Sequence, residues 1–119
     1  MGTDGNAQNG RRFRMRESEI EKILVREVKK LGGVAYKWVS PGNDGVPDRI
    51  VIFPRRHPVF VELKMEKGRL TALQEAQIGR LKKLEQDVMV IYGLDGLSQF
   101  FQDQGFEETS KALDCKYGL

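Results

Sequence analysis

Gly45-Val-Pro-Asp-Arg-Ile-Val-Ile-Phe53 and Val59-Phe-Val-Glu-Leu-Lys64 are the two segments that decide the fold. From Asp48 onward the first is rich in β-branched and aromatic residues, as is the whole of the second, which predicts two strands. The connection between them is short and is bracketed by Pro54 and Pro58, so it cannot continue either strand. We therefore expect an antiparallel β-hairpin.

Outward from this hairpin, hydrophobic periodicity predicts three helices and two more strands. Their order is αβββαβα, with a four-stranded mixed sheet flanked by helices, which is an α/β fold. The last strand is continuously hydrophobic, so we expect it to be central in the sheet. The first helix should bury Ile20, Ile23, Leu24, Val28 and Leu31, and the second should bury a face of Ala76, Gln77, Leu81 and Leu84. The predicted segments are Glu17 to Leu31 (helix), Val34 to Val39 (strand), Thr71 to about Glu85 (helix), Val88 to Tyr92 (strand) and Leu97 to Gln102 (helix).

The 119 residues are enough for one small domain. Residues 1–14 are rich in Gly and Asn and have no hydrophobic period, so we expect a flexible leader outside the fold. The predicted domain spans residues 15–103, and the polar, acidic and aperiodic residues 104–119 are expected to form a loosely held tail. No apolar run has the roughly 20 residues of a membrane helix, and no secretory signal is visible, so we expect a cytoplasmic protein.

Charge is distributed unevenly along the chain. Residues 10–40 carry nine Lys or Arg against four Glu, whereas residues 95–119 carry two Lys against five Asp or Glu. A basic body favours a polyanionic partner such as nucleic acid. A solvated surface with a modest excess of lysine explains the same charges equally well.

The predicted hairpin brings two carboxylates together. Side chains alternate between the faces of a strand, so Glu62 and Lys64 share a face, and Asp48 at the start of the partner strand can lie beside Glu62. The chain has one histidine and one cysteine, so a metal at this point would be held mostly by carboxylates, which suits Mg²⁺ or Mn²⁺. Alternatively, Glu62 and Lys64 are the solvent-facing half of an amphipathic strand.

In combination, these segments resemble the PD-(D/E)xK nuclease superfamily, whose core has the same αβββαβ order. More closely, they resemble the stand-alone VRR-NUC family of virus-type and bacterial nucleases. The matching segments span residues 17–92 and occur in the family's order and spacing. They are Ser40-Pro-Gly, Gly45-Val-Pro-Asp-Arg-Ile-Val51, Phe60-Val-Glu-Leu-Lys64 and Gln74 before the second helix.

The resemblance implies a set of site residues. Asp48, Glu62 and Lys64 would be catalytic, with Asp48, Glu62 and the backbone carbonyl of Leu63 holding Mg²⁺ or Mn²⁺. The family adds an acidic residue on the first helix, for which Glu17, Glu19 and Glu21 are candidates. Glu21 is preferred because Leu24, Val25 and Val28 follow it at helical spacing.

Further positions follow from the same resemblance. Gln74 matches the family's glutamine near the active site, while its spacing from Thr71 also predicts a capping box. Lys37, Ser40 and Arg49 are candidates for contact with nucleic acid. Where relatives commonly have a glycine before the last strand, this chain has Glu85-Gln-Asp.

The function that the resemblance implies is a metal-dependent, structure-selective DNA endonuclease that hydrolyses phosphodiester bonds in branched DNA, such as Holliday-junction-like or flap substrates. A homodimer is expected, located in the host cytoplasm if the protein is viral. Three alternatives stay open: a module with a nuclease fold that only binds nucleic acid, a restriction-type or non-specific nuclease, and a structural protein.

Overall fold

The fold is a four-stranded mixed sheet with helices on both faces, as predicted. A computed structural model describes residues 15–119, and the predicted leader at residues 1–14 lies outside the described residues. The elements are α1 (Glu17–Lys30), β1 (Val34–Lys37), β2 (Arg49–Ile52), β3 (Val59–Lys64), α2 (Ala72–Lys83), β4 (Asp87–Tyr92), α3 (Gly93–Asp103) and α4 (Glu107–Tyr117).

The sheet has the strand order β1-β2-β3-β4. β2 and β3 are antiparallel, which confirms the predicted hairpin, and Arg49 lies opposite Val61. β1 is antiparallel to β2, while β4 is parallel to β3. Continuing the register by one residue places Asp48 beside Glu62 at the end of the hairpin's paired region.

The main core lies on one face of the sheet, beneath α1 and α3. The predicted stripe of α1 is buried there at Ile20, Ile23, Leu24 and Val28. The members that the sheet contributes to this core are Ala35, Val51, Val59, Val61, Leu63 and Ile91, and Phe53 joins them directly after β2.

The second helix covers the opposite face of the sheet. Ile78, the buried residue of α2, is outside the main core cluster. The predicted buried face of this helix is wrong, because Ala76 is exposed and Leu84, beyond the last helical residue, is 64% exposed.

The prediction that β4 is central is also wrong, because β4 is an edge strand. Its hydrophobic continuity has a different cause, since α2 packs on one face of the strand and α3 on the other. Val88, which pairs with Phe60, and Ile91, which pairs with Leu63, point to opposite faces and are both buried. A strand covered on both faces needs apolar residues on both, whatever its place in the sheet.

The predicted loose tail is a helix packed on α3, so the folded domain continues beyond residue 103. Leu113 is buried against the main core. The hydroxyl group of Ser98 on α3 lies 2.8 Å from that of Ser110 and donates to a carboxylate oxygen of Asp114 at 2.5 Å. Part of the contact between α3 and α4 is therefore polar: the buried Ser110 is satisfied by a hydrogen bond and leaves no apolar signal in the sequence of α4.

No helix of residues 15–119 combines the length and the apolar character that crossing a membrane would need.

The turn before β4 carries a strained residue. Glu85 has φ 60°, in the left-handed region that costs a residue with a Cβ about 1–2 kcal/mol. We expect Glu85→Gly to raise the free energy of unfolding by about 1 kcal/mol in urea titrations, because it relieves this strain. Gln86→Gly is the matched control and should be destabilising, since Gln86 has no positive φ to relieve. Equal effects of the two substitutions would contradict the prediction.

Candidate active site

The loop before β2 is anchored on the first turn of α2 by a glycine. Gly45 has φ 91°, and a Cβ there would lie 2.6 Å from the backbone carbonyl of Leu73 and 2.9 Å from the amide nitrogen of Gln74. Only a residue without a side chain allows this approach. The contact sets the path of the chain into buried Pro47 and half-buried Asp48.

Asp48 and Glu62 face each other across the hairpin. One carboxylate oxygen of Asp48 accepts a hydrogen bond from the backbone N–H of Leu63 at 2.8 Å. Since the N–H and C=O of one strand residue point to the same side, the Leu63 carbonyl faces the edge where Asp48 lies. Glu62 is only 2% exposed, so it is not on a solvent-facing half of the strand.

The ionised form of the Glu62 carboxyl group is electrostatically unfavourable at this position. Burial, followed by the negative charge of Asp48, raises its pKa to about 7, against the opposing effect of Lys64. Its Oε1 atom is buried and has no hydrogen-bond partner among the described residues. A buried acceptor without a partner costs about 1–3 kcal/mol, and more when it is charged.

Two side chains contact the other oxygen of Glu62. Gln74 donates from its amide nitrogen to Glu62 Oε2 at 3.2 Å, and the Lys64 ammonium lies 3.9 Å from the same atom. Gln74 also forms the capping box, because its backbone N–H donates to Thr71 and its Oε1 accepts from the Thr71 N–H. Gln74 therefore caps α2 and contacts Glu62 at the same time, mainly through different atoms.

The three candidate acids of α1 have different surroundings. Glu19 accepts a hydrogen bond from the backbone N–H of Arg16 at 3.0 Å and caps the helix. Glu21 lies 2.7 Å from the guanidinium of Arg49. Glu17 is the α1 residue whose charge raises the pKa of Glu62. Glu17 therefore acts electrostatically on Glu62, whereas Glu21 is paired with Arg49.

The helical spacing that favours Glu21 as the site acid applies equally to Glu17. Glu17 precedes Ile20 and Leu24 at the same helical spacings as Glu21 precedes Leu24 and Val28, and all three apolar residues are buried. Periodicity identifies the face of a helix but not the turn that reaches the site. The hydrophobic pattern alone could not separate the two glutamates.

The three candidates for nucleic-acid contact lie in different settings. The Lys37 ammonium lies 3.9 Å from Glu21 and is largely exposed. Arg49 is held on both sides, by Glu21 and by the carbonyl of Ala35 at 3.0 Å. Ser40 accepts a hydrogen bond from the Asn43 side chain within the loop.

The donor set fits a hard divalent cation. Within residues 15–119 no group of three His, Cys, Asp or Glu side chains is arranged to hold a metal. Mg²⁺ commonly uses one or two carboxylates, with waters and phosphate oxygens as its remaining ligands. Asp48, Glu62 and the Leu63 carbonyl offer that smaller set, and the unpartnered Oε1 of Glu62 is an acceptor that such a cation would satisfy.

The raised pKa of Glu62 predicts how stability depends on pH in the absence of metal. The protonated carboxyl favours the folded state, so this contribution is complete below the ordinary pKa of 4.5 and is lost as pH rises through about 7. In EDTA, we expect the free energy of unfolding of the wild type to fall relative to Glu62→Gln by about 3 kcal/mol between about pH 4 and pH 8. Parallel pH profiles for the two proteins in urea titrations would contradict this.

Known proteins resemble this chain in sequence and in fold. The chain is 47% identical over 81 residues to the "Putative nuclease p44" of Acyrthosiphon pisum secondary endosymbiont phage 1, which is 68% of this chain and 87% of the relative. A solved structure described as a VRR_NUC domain superposes with a TM-score of 0.62 at 26% identity and covers 82% of this chain and 94% of that one.

No family model matches the chain. The phage relative nevertheless shares nearly half of its residues over most of its length, and the VRR_NUC domain shares its fold. The chain therefore belongs to the VRR-NUC family of nucleases.

Proposed function

We propose that this nuclease is a DNA endonuclease that requires Mg²⁺ or Mn²⁺ to hydrolyse phosphodiester bonds. The observation that carries the proposal is the pair of facing carboxylates, Asp48 and Glu62, in which a buried Glu62 oxygen has no partner among the described residues. Such an arrangement is unfavourable for a purely structural role, because burial and like charge both oppose ionisation. A bound cation would offset both effects.

Each residue of the site has a role in this proposal. Asp48, Glu62 and the Leu63 carbonyl would hold the cation, which supplies Lewis acidity and lowers the pKa of a bound water. Gln74 orients the Glu62 carboxylate through its hydrogen bond. Lys64, whose side chain is 12% exposed, presents a positive charge where negative charge develops on the phosphate oxygens. Cytoplasmic location stays a prediction.

Asp48→Asn, Glu62→Gln and Lys64→Ala should each reduce cleavage by roughly 100-fold or more, because each removes a charge that the transition state needs. The measurement is single-turnover cleavage of labelled DNA with Mg²⁺, Mn²⁺ or EDTA. Asp44→Asn and Glu66→Gln are matched controls, since both acids are exposed. Full activity in Glu62→Gln, or in EDTA, would exclude this active site.

The same assay separates the acids of α1. Glu17→Gln should lower cleavage, because Glu17 is close enough to influence Glu62. Glu21→Gln should act mainly on stability by freeing Arg49. If Glu21→Gln alone abolishes cleavage with the fold intact, Glu21 is the helix acid. A wild type that binds DNA but never cleaves it would favour the binding module.

We also propose that the substrate is branched DNA and that the nuclease acts as a homodimer. Apolar side chains at and beyond β1 support a dimer, because Tyr36 is 59% exposed and Val39 is 71% exposed. Two copies related by a two-fold axis would present two Asp48–Glu62 pairs, which suits the symmetry of a four-way junction. Phosphate contacts position DNA without reading its sequence, so selection would depend on shape.

A four-way junction or a flap should be cut faster than a linear duplex of the same sequence. The measurement is the cleavage rate of the three substrates under single-turnover conditions, with light scattering coupled to size exclusion for the oligomeric state. Equal rates would favour a restriction-type or non-specific nuclease. A monomer at micromolar concentration would exclude the homodimer.

A further inference from the structure

The outer side of α1 forms one wall of a basic groove. The groove has a volume of about 490 Å³. Four cationic side chains line it against the single carboxylate of Glu21; they are Lys22, Arg26, Lys29 and Arg49. We call this the α1 groove. Val25 also lines the groove. Lysine and arginine stems can cover such apolar surface while their charged ends stay in water, so the groove keeps its positive charge.

The charges of the α1 groove fall into two kinds. Arg49 is fixed by Glu21, and Arg26 lies 3.0 Å from Glu27. Lys22 and Lys29, in contrast, are exposed and form no ion pair with any residue of the described chain. Two paired cations and two cations without an ion pair in the described chain, spread along the groove, suit a ligand with repeated negative charge better than a single anion.

The α1 groove starts close to the active site. Arg49 directly follows Asp48 in the chain and is held to α1 by Glu21 at 2.7 Å. Because successive strand residues point to opposite faces, its side chain lies on the α1 face of the sheet and that of Asp48 on the α2 face. From Lys22 to Lys29 the helix rises about 10 Å, which corresponds to about three phosphate steps along one strand of B-form DNA. The groove therefore runs along the α1 face over the length of a short DNA segment, and its Arg49 is one residue along the chain from Asp48.

We propose that the α1 groove binds the sugar-phosphate backbone of the DNA arm next to the scissile bond. The proposal rests on the nuclease function proposed above and assigns its substrate a path across the protein. Because the contacts are to phosphates, they contribute affinity and orientation without base specificity. Lys22 and Lys29 are binding residues in this account, and Arg49 is a positioning residue that joins the groove to the site.

The test is the salt dependence of DNA binding in Lys22→Ala/Lys29→Ala. Binding of fluorescent flap DNA is measured by anisotropy in EDTA between about 50 and 200 mM salt. Each lost phosphate contact should reduce the slope of log affinity against log salt by about 0.9, so the double variant should lose about 2. Lys82→Ala/Lys83→Ala on α2 removes the same charge from exposed positions and should keep the slope of the wild type.

The outcomes separate the groove from the nuclease function, because cleavage of the same DNA by the wild type is measured with Mg²⁺. If the wild type cleaves the DNA and all three proteins have equal slopes, the proposal that the α1 groove binds DNA is overturned. The proposed nuclease function then still stands. Equal reductions in both double variants show only general charge attraction and also overturn it. The wild type could also bind the DNA without cleaving it, with the slope reduced in Lys22→Ala/Lys29→Ala alone. That result supports DNA binding by the α1 groove and excludes the proposed nuclease function.

Discussion

The burial of Glu62 beside Asp48 is the constraint on which the rest of this structure depends. Packing α2 over the hairpin removes Glu62 from solvent and leaves one of its oxygens without a partner among the described residues. In a protein without a ligand this arrangement opposes ionisation of Glu62 and raises its pKa to about 7. In the proposed metal complex the same arrangement would become favourable, because a bound cation would offset the negative charge of both carboxylates.

Three features of the fold hold Asp48 and Glu62 in place: the hairpin register, the backbone N–H of Leu63, and the packing of α2 against the loop before β2. The hairpin register sets Asp48 opposite Glu62, and the Leu63 N–H fixes the Asp48 carboxylate. Gly45 lets the preceding loop approach α2 closely, and Gln74 on that helix contacts Glu62. A displacement of α2 would therefore disturb the loop, the cap of the helix and the carboxylate together.

The sequence predicted those parts of the fold that depend on local pattern. The hairpin, the stripe of α1 and the capping box at Thr71 each follow from a short-range rule. The place of β4 at the sheet edge and the docking of α4 did not follow, because they depend on tertiary burial. Serines at the interface between α3 and α4 form hydrogen bonds that no hydrophobic period records. In the site, spacing put Asp48 beside Glu62, but the difference between Glu17 and Glu21 needed the orientation of α1 against the sheet.

The most direct test of the account is calorimetric titration of the wild type and of Asp48→Asn/Glu62→Gln with Mn²⁺ at neutral pH, with no DNA present. The account predicts one site in the wild type, with proton release because Glu62 must ionise. It predicts no binding in the double variant, with its fold verified by circular dichroism. Equal Mn²⁺ affinity in the two proteins, or no binding to the wild type, would contradict the claim that Asp48 and Glu62 form a metal site.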